Sequence, residues 1–147
     1  MLHFEDFREG QTFPLGPHRI TEEAIISFAR EFDPQPFHLD AEAARHSLLG
    51  GLAASGWHST AMLMRLMCDA CLSRSSILGS SGMDEVKWLA PVLAGDVLSG
   101  TFEITATRTS ASRPGIGIVN FTSRLAGSDG MAKVEMTGMF FVRRRAA

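Results

Sequence analysis

ASGWHSTAMLMRLMCDACL, the stretch from Ala54 to Leu72, carries apolar residues on nearly every face when wound as a helix. Trp57, Ala61, Met62, Leu63, Met64, Leu66, Met67, Cys68, Ala70, Cys71 and Leu72 leave only a narrow polar stripe through His58, Arg65, Asp69 and Ser73. A helix that is apolar almost all round belongs inside a core or a membrane. Arg65 and Asp69 stand in mid-segment, where ionisable groups are expensive in hydrocarbon, so a membrane is excluded as the surroundings. The segment is expected as a long central helix wrapped by another part of the chain.

The wrapping comes after it. From Asp96 to Thr107 the residues Leu98, Phe102, Ile104 and Ala106 alternate with Ser99, Thr101, Glu103, Thr105 and Thr107, the period of a half-buried strand. Val119, Phe121 and Leu125 share one face of a second strand, and Val134, Met136, Phe140 and Val142 one face of a third. Val86 to Leu89 reads as another, stopped by Pro91. Gly127-Ser128-Asp129-Gly130 has the composition of a hairpin turn between the last two strands, and Gln11 to Ile20 supplies a further edge strand. Upstream, Thr21 is placed to cap a short helix whose first turn holds Glu22 and Glu23, where carboxylates suit the helix dipole. Pro34 stops that helix near Phe32 or Asp33. The pattern predicts one α+β domain over residues 1–147, a curved antiparallel sheet wrapped round a long helix.

With 14 Lys and Arg against 16 Asp and Glu, the formal charge is −2, and 45% of the 147 residues are hydrophobic. A chain of this size buries roughly two thirds of its unfolded surface, so no disulfide or structural metal is needed for a core. The near-balanced charge excludes the electrostatic footprint of a nucleic-acid binder, and the run Arg143, Arg144, Arg145 is too short to replace it. The first residues mix acidic and apolar side chains where a secretory signal needs a basic start, which points to the cytoplasm. Cys68 and Cys71 cannot build a disulfide framework. Their spacing is that of a redox or zinc pair, but within an apolar helix they read as buried, inert thiols and no metal is expected.

Two segments carry chemistry. Glu31-Phe32-Asp33-Pro34-Gln35-Pro36-Phe37-His38-Leu39-Asp40 holds a carboxylate and an imidazole five positions apart with two prolines between them. Proline fixes its own φ and restricts its predecessor, so the connection has few conformations and can hold Asp33 and His38 in a set relation. An imidazole titrates near neutrality, and a carboxylate beside it can orient it or take a proton from water. The same residues are also compatible with a solvated turn in which Asp33 ends a helix and His38 is incidental; Asp40 reads as the N-cap of Ala41 to Arg45. The second segment, Gly50 to Ser59, is a glycine-bearing start to the apolar helix. First-turn amides have no intrahelical partner and suit an oxygen that gains negative charge. Gly56 would let a ligand approach the backbone, or would only permit close packing of the sheet, with Ser55 as a cap.

Together, Asp33-Pro34-Gln35-Pro36-Phe37-His38, Ala54-Ser55-Gly56 and Val86-Lys87-Trp88-Leu89-Ala90-Pro91-Val92-Leu93-Ala94-Gly95-Asp96 resemble the MaoC-like dehydratases and (R)-specific enoyl-CoA hydratases, proteins of the hotdog fold. The family's hydratase motif is an Asp, a Pro-containing stretch and a His five positions on, followed by a glycine at the start of the central helix. Three positions depart from it: Ser55 stands where His is common, Gln35 where Asn is common, and Met64 where well-known members carry serine. The last departure leaves no hydroxyl at that position.

The resemblance implies reversible addition of water to a trans-2-enoyl thioester. In it Asp33 and His38 are the catalytic acid and base, in either assignment. Gly56, with Ser55 beside it, binds the substrate and stabilises the thioester oxygen. No cofactor is implied, coenzyme A being part of the acyl-CoA substrate. It further implies pairing of two copies as a homodimer or higher homo-oligomer. Arg113 and Arg143 to Arg145 are candidates to meet coenzyme A phosphates, or form a solvated basic tail. Met62, Met64 and Met67 are read as helix packing, or as adaptable walls of an acyl tunnel. A hotdog acyl-CoA thioesterase is the alternative enzyme, disfavoured because the central helix offers only Asp69 as an acidic group. A non-catalytic acyl-CoA-binding dimer is the alternative from another class.

Overall fold

The computed structural model describes residues 1–145. In chain order they form β1 (Thr12–Arg19), α1 (Glu22–Phe32), α2 (Pro36–Leu39), α3 (Ala41–Arg45), α4 (Gly56–Ala70), β2 (Ile77–Gly79), β3 (Met83–Trp88), β4 (Val97–Thr109), β5 (Ile116–Ala126) and β6 (Ala132–Arg143), with 3-10 turns at Phe4–Asp6 and Leu72–Arg74. The strands make one antiparallel sheet in the order β1-β4-β5-β6, and β2 and β3 both pair with the far side of β6. This is the hotdog arrangement: a sheet curved over one long helix.

Alternation builds the inner face. Leu98, Phe102 and Ile104 of β4, Val119, Phe121 and Leu125 of β5, and Val134, Met136, Phe140 and Val142 of β6 are all buried. The rings of Phe121 and Phe140 stack at 4.5 Å, and Phe102 meets Phe121 at a steep angle 5.4 Å away. Against them α4 presents Ser59, Met62, Leu63, Leu66 and Met67. Those positions recur at three and four residues, one helical stripe, and they account for Met62 and Met67 as packing side chains.

The sheet does not enclose α4, however. Trp57, Ala61, Arg65 and Asp69 are exposed, and Arg65 bonds Asp69 at 2.9 Å one turn on. A single curved sheet covers one side of a helix, so the apolar residues on the other side of α4 remain at the protomer surface. The helix is also shorter than its apolar stretch, because Cys71 leaves helical geometry and a 3-10 turn follows.

Local signals place the remaining elements. The Thr21 hydroxyl accepts the Ala24 N–H at 3.1 Å, capping α1. Asp40 caps α3 through the N–H groups of Glu42 and Ala43. Gly130, at φ +81°, closes the β5–β6 hairpin, where the Asp129 carboxylate accepts the Met131 N–H. Among the described residues no helix is long and apolar enough to cross a membrane.

Candidate active site

The segment between α1 and α3 is more ordered than a proline-bearing loop. Pro34 ends α1, and Pro36 occupies the first turn of α2, where its missing N–H costs nothing. The Gln35 N–H bonds the Asp33 carbonyl at 2.8 Å and the His38 N–H bonds the Gln35 carbonyl at 3.0 Å. These turns fold His38 back over Asp33, leaving His38 Nε2 3.3 Å from Asp33 Oδ2.

The other imidazole nitrogen is committed elsewhere. His38 Nδ1 lies 2.7 Å from the Ala53 carbonyl oxygen in a buried bond. A carbonyl only accepts, so Nδ1 carries a proton and Nε2 is the nitrogen that exchanges one. Phe37 meets the imidazole edge-on at 4.6 Å. Around Asp33, the Gln35 side-chain amide donates to Oδ1 at 2.6 Å. The Ser55 hydroxyl does most to hold the Asp33 carboxyl below the ordinary carboxylate range; Gln35 and His38 act in the same direction, and desolvation opposes them.

Gly56 opens α4, so its amide has no intrahelical acceptor. The Trp88 indole lies directly on it: a β-carbon at position 56 would approach that ring to 2.5 Å. Trp88 is held by its Nε1–H bond to the Thr60 hydroxyl at 3.1 Å and by the edge-to-face ring of Trp57 at 5.2 Å. Gly56 therefore packs the helix closely against β3, and it is also the residue whose first-turn amide has no intrahelical acceptor.

Asp33, His38 and Gly56 line one cavity of about 430 Å³, whose apolar walls include Phe37, Leu49, Trp57, Trp88 and Leu89. Ser55 does not reach it. Expected to meet substrate, Ser55 is fully buried, and its hydroxyl receives the Trp57 N–H at 3.3 Å, so it supports α4 and Asp33 from behind.

The basic residues are elsewhere too. Arg144 bonds Glu5 at 3.2 Å and Arg145 bonds Asp6 at 2.7 Å, tying the two ends of the chain together. Neither they nor Arg113 and Arg143 line the cavity. Cys71 is buried, which pushes its thiol pKa up and suits an inert group. The Ala53 carbonyl, Thr60 and the two tryptophans had no signal in the sequence, since every residue carries a carbonyl and Trp88 meets Thr60 and Trp57 only through the fold.

The family model described as MaoC like domain matches residues 7–120. The crystal structure of a MaoC-like dehydratase from Rhodospirillum rubrum is 43% identical, with all of both chains covered and a TM-score of 0.91. The (R)-hydratase PhaJ1 of Pseudomonas aeruginosa is 20% identical, covers 98% of this chain and 87% of its own, and superposes with a TM-score of 0.78, a likeness of fold. An uncharacterized Bacillus subtilis protein, YdeM, is 27% identical over 115 residues, 78% of this chain and 82% of that one. With its hotdog sheet, its Asp33–His38 pair and a family match over most of its length, the chain belongs to the MaoC-like family of hydratases and dehydratases.

Proposed function

We propose that this protein is an enoyl-CoA hydratase, working in reverse as a 3-hydroxyacyl-CoA dehydratase, and that its catalytic residues are Asp33 and His38. The observation that carries this reading is the 3.3 Å approach of His38 Nε2 to Asp33 Oδ2 on the wall of a cavity shared with Gly56.

In the direction of hydration, a water bound beside the two side chains gives a proton to the Asp33 carboxylate while its oxygen bonds to the β-carbon. His38, protonated on both nitrogens, gives its Nε2 proton to the α-carbon. The electron pair of the double bond passes through the enolate-like thioester, whose oxygen accepts the Gly56 N–H; such a donor is typically worth about 3 kcal/mol. Asp33 then returns its proton to His38 Nε2 across their short contact, which resets the pair and leaves one water added. The lowered pKa of Asp33 keeps the group ionised, so that an unprotonated carboxylate is present when the water arrives. Coenzyme A is part of the substrate and not a resident cofactor. The active form is a homodimer or higher homo-oligomer in the cytoplasm.

Purified protein mixed with short and medium trans-2-enoyl-CoA thioesters is expected to consume enoyl absorbance. Asp33→Asn and His38→Ala should each slow it at least about a hundredfold. Hydration untouched by both substitutions would sink the assignment. Release of free coenzyme A without hydration would indicate a thioesterase, and binding without either reaction a non-catalytic dimer.

A further inference from the structure

Lys133 is a buried cation that the proposed reaction does not use. Its side chain is 10% exposed, and its ammonium donates to the Pro91 carbonyl at 3.0 Å and lies 3.5 Å from Asp96 Oδ2. The same Asp96 oxygen accepts the Leu93 N–H at 2.9 Å. Lys133 and Asp96 thus grip the segment Pro91-Val92-Leu93 at both ends, and neither of them lines the cavity. A buried ammonium is costly unless it is partnered, so such a grip is strong only while both members are present.

That segment is what holds the orienting group of His38. Ala53 pairs with Leu93 in an isolated antiparallel bridge. The bonds run on either side of the pair, from the Ala54 N–H to the Val92 carbonyl at 2.8 Å and from the Ala94 N–H to the Leu52 carbonyl at 3.0 Å. In such a non-hydrogen-bonded pair the residue's own carbonyl points away from the partner strand. The Ala53 carbonyl is therefore turned outward, and there it receives His38 Nδ1–H at 2.7 Å. Two side chains outside the cavity lining fix a backbone segment, the segment fixes a carbonyl, and the carbonyl decides which imidazole nitrogen faces Asp33.

We propose that Lys133 and Asp96 are positioning residues that set the tautomer of His38 through the Ala53 carbonyl. The proposal rests on reading His38 as a proton-transfer group, but its primary readout requires no turnover. In protein labelled with ¹⁵N-histidine, the signal of His38 is identified among the five histidines by its loss in His38→Ala. Neutral His38 is expected to carry its proton on Nδ1 in the unmodified protein. In Lys133→Met it should exchange between both tautomers while far-ultraviolet circular dichroism is unchanged. Hydration by that variant should show kcat reduced about tenfold at nearly constant KM, and Lys133→Arg should restore much of it. If Lys133→Met does not fold, Asp96→Asn keeps the shape of its side chain and provides the same test. A folded Lys133→Met or Asp96→Asn with the original tautomer, whatever its melting temperature, would overturn the proposal. Absence of hydration in the unmodified protein would instead remove the proposed function and leave the tautomer result standing.

Discussion

His38 divides its ring nitrogens between the backbone and Asp33, whose own carboxylate is held by the side chains of Gln35 and Ser55. One imidazole nitrogen is spent on the Ala53 carbonyl and the other faces the carboxylate. Ser55 contributes most to keeping that carboxyl acidic. The sign of the consequence is definite: a base with a lowered pKa is available above that pKa and is lost as pH falls through it. Ser55→Ala removes the main lowering influence, so the acid limb of kcat/KM should move to higher pH. The variant should also lose about 1 kcal/mol in urea unfolding, because the α4 cap goes with the hydroxyl. An acid limb that stays in place in the folded variant would show that Ser55 is only a cap. Asp33 and His38 were legible because two prolines constrain their relation locally. The support from Ser55 spans twenty-two positions of sequence, and no spacing rule reaches that far.

At the scale of elements, the contact that matters is α4 against β3, where Gly56 meets Trp88. A methyl group there has to displace the indole, and with it the bond to Thr60 and the packing on Trp57. Gly56→Ala is expected to destabilise the fold by about 1–3 kcal/mol and to shift tryptophan fluorescence, with loss of hydration beyond what the stability change explains. Full activity in that variant would count against an oxyanion role for this turn. The long elements α4 and the strands β4 to β6 followed from their apolar patterns, and α1 from its Thr21 cap and the stop at Pro34. Sequence reasoning missed α2 and β2. A single turn begun by Pro36 and a strand of three residues, Ile77–Gly79, are shorter than any period that could reveal them. It also extended β1 and displaced β3, since strand ends are set by pairing partners and not by the strand's own side chains.

For the molecule as a whole, the outer edge of β2 and β3 and the surface beside it carry Leu78, Trp88 and Leu89, each about half exposed, with Trp57 nearby. Exposed apolar side chains on an unpaired sheet edge are a liability in a lone protomer. Sedimentation velocity at micromolar concentration should give the mass of two chains, and a stable monomer there would count against the homodimer. The net charge of −2 means that an acyl-CoA would be held by local donors and not by a field over the whole surface. The sequence by itself determined the period of each long element and the local stiffness of the Asp33–His38 turn, because both depend on neighbours along the chain. Only the tertiary structure decided that Ser55 stands behind Asp33, that Trp88 covers Gly56, and that Arg144 and Arg145 close on the N-terminal acids. It also brought Lys133 and Asp96 into line with His38. Those contacts join residues far apart in sequence, and their geometry exists only once the sheet has curved over the helix.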